Sequence, residues 1–212
     1  PPGLTPTSTP TPPLTQNEVP LYSVFEITLT ATNTYVNPYT GPTLSTIFQG
    51  PTKTVTIEGF WDGGNTWKAR MAPSEIGTWT YVTTSSDPGL NGKSGSFEAA
   101  ASASPGFVEL DPANPRGWRT SGDGRPHFWM SDTCWRCFQR YTVSQFQDYI
   151  NARSSMGFNH IRGHFTSMDI GGANEGGPPF TDNDWDTINP GYWQAVDTRL
   201  AFANSKGITN DL

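Results

Sequence analysis

A chain of 212 residues has room for one or two domains. A formal net charge of −6 without any Lys/Arg cluster argues against a nucleic-acid surface, and no stretch approaches the roughly 20 consecutive apolar residues of a membrane-spanning helix. Charged residues make up only 15% of the chain against 13% aromatic ones, with 22 Gly and 19 Pro, the balance of a turn-rich extracellular protein rather than a helical cytosolic one.

Residues 1–17 open on PPGLTPTSTPTPP, an extended Pro/Thr linker with nothing to build a core. Such tracts join modules of secreted proteins, so a secreted, extracellular location is the expectation. Residues 18–101 then read as short strands punctuated by turns. Residues 22–30 alternate, with Phe25, Ile27 and Leu29 on one face and Glu26, Thr28 and Thr30 on the other. Residues 45–49 form a second strand, and residues 53–60 alternate again through Val55 and Ile57. Asp62-Gly63-Gly64-Asn65 is a hairpin signal leading into residues 67–71. Residues 77–82 and 96–99 complete the set. Strands this short, with turns every eight to twelve residues, predict an immunoglobulin-like β-sandwich, although the tyrosine corner and Cys–Trp–Cys pattern of antibody domains are not evident.

Residues 102–212 change character. A small-residue link is followed by a hairpin over residues 107–118, expected to plug the bottom of the next domain. After the Gly122-Asp123-Gly124 turn comes PHFWMSDTCW (residues 126–135), whose apolar run 127–131 predicts a buried strand ending on Asp132-Thr133. Thr142 and Gln145 have the spacing of a capping box; Phe146, Tyr149, Ile150 and Arg153 follow at helical intervals, and Gly157 ends the helix. Residues 158–165 form the next strand, completing a βαβ unit. A Gly/Pro/Asp-rich loop runs over residues 166–190. Pro190 then begins a helix whose stripe is Tyr192, Val196, Leu200 and Ala203, with Gly207 as its stop. Residues 208–212 begin a third strand. The fold class is thus β plus α/β: a sandwich followed by the first strands and helices of a (β/α)8 barrel.

In such barrels the carboxyl ends of the strands form the active-site floor. Strand periodicity puts His160, Arg162 and His164 on one face and Ile161 and Phe165 on the other. Asp132, Trp135, Arg162 and His164 are therefore candidates for a substrate-binding floor, with a buried ion pair of Asp132 as the structural alternative. His160 and His164 lie about 13 Å apart along a strand, too far to share one metal ion. The sequence DNDWD, with Asp182, Asp184, Trp185 and Asp186, sits in the long loop; it suits sugar hydroxyls or Ca²⁺, or is simply a solvated acidic loop, and its spacing is not that of an EF-hand. Trp185 joins the substrate-binding candidates, because a sugar ring stacks on an aromatic face. The only cysteines, Cys134 and Cys137, are spaced C-x-x-C. A redox role needs a thioredoxin-like context, and zinc needs two further ligands; a local disulfide or two packed thiols is the simpler reading. No cofactor and no metal are expected. Nor is there an identifiable carboxylate pair for glycoside hydrolysis, since Glu109 and Glu175 lie at the end of no convincing strand.

The segments YSVFEITLTA and TVTIEGFWDGGNTWKARMAPSEIGTWTYVTTSSDPGLNGKSGSFE resemble the N-terminal β-sandwich found ahead of bacterial apiosidase-like glycoside hydrolases. DGRPHFWMSDTCWRCFQRYTVSQFQDYINARSSMGFNHIR resembles the opening of their (β/α)8 catalytic domain, with Ser131-Asp132-Thr133-Cys134-Trp135 in place of a Gly-Asp-Thr-Ala-Trp-like motif. The resemblance covers nearly all of the chain after the linker. It implies a secreted retaining hydrolase acting on polysaccharide or oligosaccharide, with acid/base and nucleophile at the ends of the fourth and seventh strands, beyond Leu212. Asp132, Trp135 and Arg162 carry over as floor and substrate-contact residues; His164 has no counterpart. A barrel needs about 250 residues, so the remainder of the same chain, or another chain, is expected to complete it. A non-catalytic carbohydrate-binding or structural assembly module is the alternative. Neither nucleic acid nor membrane is expected as a partner.

Overall fold

The computed structural model describes residues 18–166, 172–182 and 184–211. The linker assigned to residues 1–17 and part of the long loop lie outside them. The chain divides into two compact units between His127 and Phe128, later than the 101/102 boundary read from the sequence.

In the first unit, β1 (Glu18–Pro20), β2 (Phe25–Thr30), β3 (Leu44–Gln49), β4 (Thr54–Glu58), β5 (Phe60–Trp61), β6 (Thr66–Met71), β7 (Gly77–Ser85) and β8 (Ser94–Ala100) form two sheets, ordered β1-β8-β7-β3-β4 and β2-β6-β5. Period-two alternation decides which side chains go inward. Along β6, Trp67, Ala69 and Met71 are buried, while Lys68 and Arg70 turn to the outer face and bind Glu26. Phe48, Trp79 and Phe97 of the larger sheet share one core with Met71 and Phe25 of the smaller. Burying a large apolar side chain of this kind contributes about 2–3 kcal/mol. The Asp62–Asn65 turn joins β5 to β6 as expected: Gly63 and Gly64 take φ of 104° and 53°, values that favour glycine. The sequence reading lacks β1, a parallel edge strand beside β8 that ends on Pro20.

Next come β9 (Val108–Asp111), β10 (Asn114–Thr120) and β11 (Pro126–His127), an antiparallel sheet ordered β11-β10-β9. This is the predicted hairpin with one strand more. It groups with the first unit, where Phe107 meets Tyr22 edge-on at 5.2 Å.

The second unit contains β12 (Ser131–Thr133), α1 (Cys137–Arg140), α2 (Val143–Ser155), β13 (His160–Arg162), α3 (Pro190–Ser205) and β14 (Thr209–Asp211). The strands are parallel, in the order β12-β13-β14. The capping box forms as its spacing predicts: the Thr142 hydroxyl accepts from Gln145 N–H at 3.2 Å, and Gln145 Oε1 accepts from Thr142 N–H at 3.0 Å. Gly157 and Gly207 close α2 and α3 with φ of 85° and 74°. Phe138, Phe146, Ile150, Ile161, Tyr192, Val196 and Ile208 are core residues beneath the sheet.

Two expectations need correction. The apolar run 127–131 is not the buried strand. His127 pairs with Trp118 in β11, while Phe128, Trp129 and Met130 lie outside any strand and are exposed, Phe128 by 76%. Asn159 brackets them: its side chain donates to Phe128 O and accepts from Met130 N–H, so these groups are satisfied without a ladder. The ladder strand begins at Ser131. Similarly, only His160–Arg162 of the expected strand over residues 158–165 is extended into the sheet.

Candidate substrate-binding site

The ends of the three parallel strands converge on one polar row. Thr133, Arg162 and Asp211 are in register, each the last residue of its strand. Arg162 Nη2 donates to Asp211 Oδ2 at 2.8 Å, and Nε lies 3.2 Å from the same oxygen. This guanidinium holds the Asp211 carboxyl below the usual carboxylate range. Both side chains remain solvent-accessible, the guanidinium more so.

Behind this row lies a second, Ser131, His160 and Thr209, toward the amino ends. His160 Nδ1 is 2.7 Å from Ser131 Oγ and Nε2 is 3.5 Å from Asp211 Oδ1. With Nε2–H facing Asp211, Nδ1 accepts the Ser131 hydroxyl proton. The order Ser–His–Asp has the residue types of a nucleophile relay, but Asp211 is engaged through both oxygens by Arg162. The line therefore reads as a brace for the Asp211–Arg162 pair.

Trp135 and His164 lie just past the ends of β12 and β13. His164 N–H donates to Trp135 O at 3.1 Å, and their rings meet with centroids 4.8 Å apart. Trp135 is 55% exposed, so part of its ring is open to a ligand. Cys134 N–H donates to Arg162 O, which fixes this aromatic pair beside the charged row. The structure thus brings Trp135, Arg162 and His164 into one neighbourhood.

Asp132 belongs elsewhere. Its register partner is Ile161, and it shares that residue's helix-facing side. Its carboxylate accepts from Arg153 Nε and from the Tyr149 hydroxyl at 2.9 Å, both on α2. Arg153, opposed by desolvation and aided by Tyr149, lowers the Asp132 pKa. The expected Asp132–Arg162 floor is replaced by two separate pairs because a single-residue step along a strand reverses the face. An ion pair for Asp132 was foreseen as the structural alternative; its partner is the helix, not the strand.

Trp185 packs on Phe180 with centroids 4.8 Å apart, in a tight turn where Asp184 accepts from Asp186 N–H and Thr181 N–H donates to Thr187 O. It is half exposed, but these contacts are to its own loop. Glu175 is likewise engaged: Arg199, only 2% exposed, grips both its oxygens and donates to Tyr141 O at 2.9 Å. Cys134 and Cys137 are free thiols packed in the core, the simpler of the readings above.

Asp211 and Arg199 escaped the sequence reading, and Arg153 entered it only as a member of the α2 stripe, not as the partner of Asp132. Asp211 could have been found by the criterion that selected Arg162, a polar residue at the end of a barrel-type strand. Arg153 follows Tyr149 by four residues, one turn along the same face of α2. Arg199 stands inside an apolar helix, where a buried cation requires an acid partner.

Residues 116–212 match the family described as apiosidase-like, catalytic domain. Residues 18–86 match a domain of unknown function, DUF5060. A crystal structure from Bacteroides vulgatus, provisionally assigned as a glycoside hydrolase, superposes with a TM-score of 0.76 at 25% identity, over 93% of this chain and 41% of that one. A glycoside hydrolase family 5 structure from the same organism shows 25% identity over 50% of this chain and 24% of its own, with a TM-score of 0.43. The chain thus spans about two fifths of the length of the first structure. No curated protein matches it.

Proposed function

We propose that this chain, apiosidase-like over residues 116–212, is part of a secreted glycoside hydrolase acting on polysaccharide or oligosaccharide. In this reading an immunoglobulin-like sandwich precedes the opening strands of a (β/α)8 barrel. Three parallel strands separated by helices agree with such an opening, and so does the superposition on the Bacteroides vulgatus structure.

One observation carries the reading: an open aromatic ring, Trp135, stands beside a charged hydrogen-bonding row, Arg162 and Asp211, past the carboxyl ends of parallel strands. A sugar presents an apolar C–H face and a rim of hydroxyls. Trp135 stacks on the face, and Arg162 donates to the rim while Asp211 accepts from it. Their mutual pairing holds both groups in place before the sugar arrives.

The reaction is a two-carboxylate, retaining hydrolysis whose acid/base and nucleophile lie outside the 212 residues. A general acid needs a raised pKa. Asp132, Glu175 and Asp211 are all held below the ordinary range, each by an arginine, which suits them to structure and binding rather than proton delivery. Hydrolysis of aryl glycosides by a protein extended to the length of the Bacteroides vulgatus structure tests the class. The extended protein should release the aryl alcohol, and residues 1–212 alone should not. Turnover by the 212-residue chain would place the catalytic pair within it and overturn this assignment.

A further inference from the structure

Cys134 and Cys137 bracket the turn that carries Trp135. We propose that they are a modification site: a dithiol that closes to an intramolecular disulfide on meeting a disulfide oxidant of the glutathione class.

The geometry is already that of a closed turn. Cys134 O accepts from Cys137 N–H at 3.5 Å and from the Cys137 thiol at 3.2 Å. A turn closed between residues i and i+3 holds their Cα atoms within about 7 Å. Disulfides span roughly 4.4–6.8 Å between Cα atoms. Two side chains that pack in one core cluster therefore need little backbone movement to join.

The pair is chemically asymmetric. The Cys137 thiol, and to a smaller extent the Tyr141 hydroxyl, favour the Cys134 thiolate against the cost of its burial, whereas the neighbouring Cys134 sulfur and burial both push Cys137 up. Cys134 is also the less deeply buried and is the attacking nucleophile. Its thiolate attacks one sulfur of oxidised glutathione; the S–S bond breaks and glutathione thiolate leaves. With Cys134 bound in a mixed disulfide its negative charge is gone, and the main influence raising Cys137 goes with it. Cys137 then gives its proton to the glutathione thiolate released in the first exchange, attacks the Cys134 sulfur and expels the second glutathione as its thiolate, which takes up the proton that Cys134 gave to solvent. Two protein thiols are oxidised and one oxidised glutathione is reduced to two molecules of glutathione. The bridge pins the turn from which Trp135 projects toward His164.

The whole chain, reduced and freed of reductant, is incubated with oxidised glutathione and followed by thiol titration, intact mass and peptide mapping. Both thiols should disappear, the mass should fall by two hydrogen atoms with no glutathione retained, and dithiothreitol should restore them. Cys137→Ser should instead keep one glutathione on Cys134. Stable glutathione on either cysteine of the native sequence would overturn the proposal. So would thiols that stay unreactive in the folded chain but react in urea. The native-sequence arm is decisive even if the variant fails to fold.

Discussion

The Arg162 guanidinium and the Asp211 carboxylate, the last side chains of neighbouring parallel strands, meet at 2.8 Å with both still reached by solvent. Exposed pairs of this kind contribute little to stability, because solvent screens them. Replacing Arg162 with Ala should therefore barely move the urea midpoint. In the extended enzyme it should lower kcat/KM on oligosaccharide by about tenfold or more, the scale of a lost charged hydrogen bond. Unchanged kinetics would remove Arg162 from the site.

Asp132→Asn should show the opposite profile, because this carboxylate joins β12 to α2 through Arg153 and Tyr149. Hydrogen bonds to charged groups contribute about 1.5–3 kcal/mol, and with the pair partly exposed a loss of about 1–2 kcal/mol is expected in urea unfolding. The pH dependence has a definite sign. The folded pKa is lowered, so the stabilisation is complete above the ordinary aspartate value and is lost as pH falls below it toward the folded value. The difference between wild type and Asp132→Asn should shrink on acidification through that window.

Arg199→Ala should be the most damaging of these substitutions. It removes a buried cation that binds both Glu175 oxygens and the Tyr141 carbonyl, tying the long loop to α3 and to the start of α2. Breaking buried pairs costs about 3–5 kcal/mol; the exposure of Glu175 places the expected loss near the lower end, about 3 kcal/mol by thermal or urea unfolding.

Trp135→Ala should leave the unfolding midpoint within about 0.5 kcal/mol, as for an exposed side chain making few contacts. Oligosaccharide affinity, read by calorimetry on the extended enzyme, should fall at least severalfold. Retention of full affinity would mean that the open ring is not a sugar platform.

Thr142→Ala removes the capping box of α2. The expected cost is about 1 kcal/mol, visible as a lower urea midpoint without change in the far-ultraviolet spectrum of the folded chain.

Local chemistry decided much of this fold, and it was legible in the residues themselves. Alternation at Trp67, Ala69 and Met71, glycines at 63 and 64, the Thr142/Gln145 box and the helix start at Pro190 each act over a few residues. So their structures follow from spacing alone. The polar face of β13 was legible in the same way. Which partners those side chains take was not. Asp132 binds Arg153 rather than Arg162 because strand register fixes the face of each residue, and register is set by the hydrogen bonds of another strand. The exposed run Phe128–Met130 reads as a core strand until Asn159, distant in sequence, claims its backbone groups. Sequence determined most of the elements and the polarity of their faces; only the tertiary structure set the strand ends and paired the charges, since those pairings join residues that the chain alone keeps far apart.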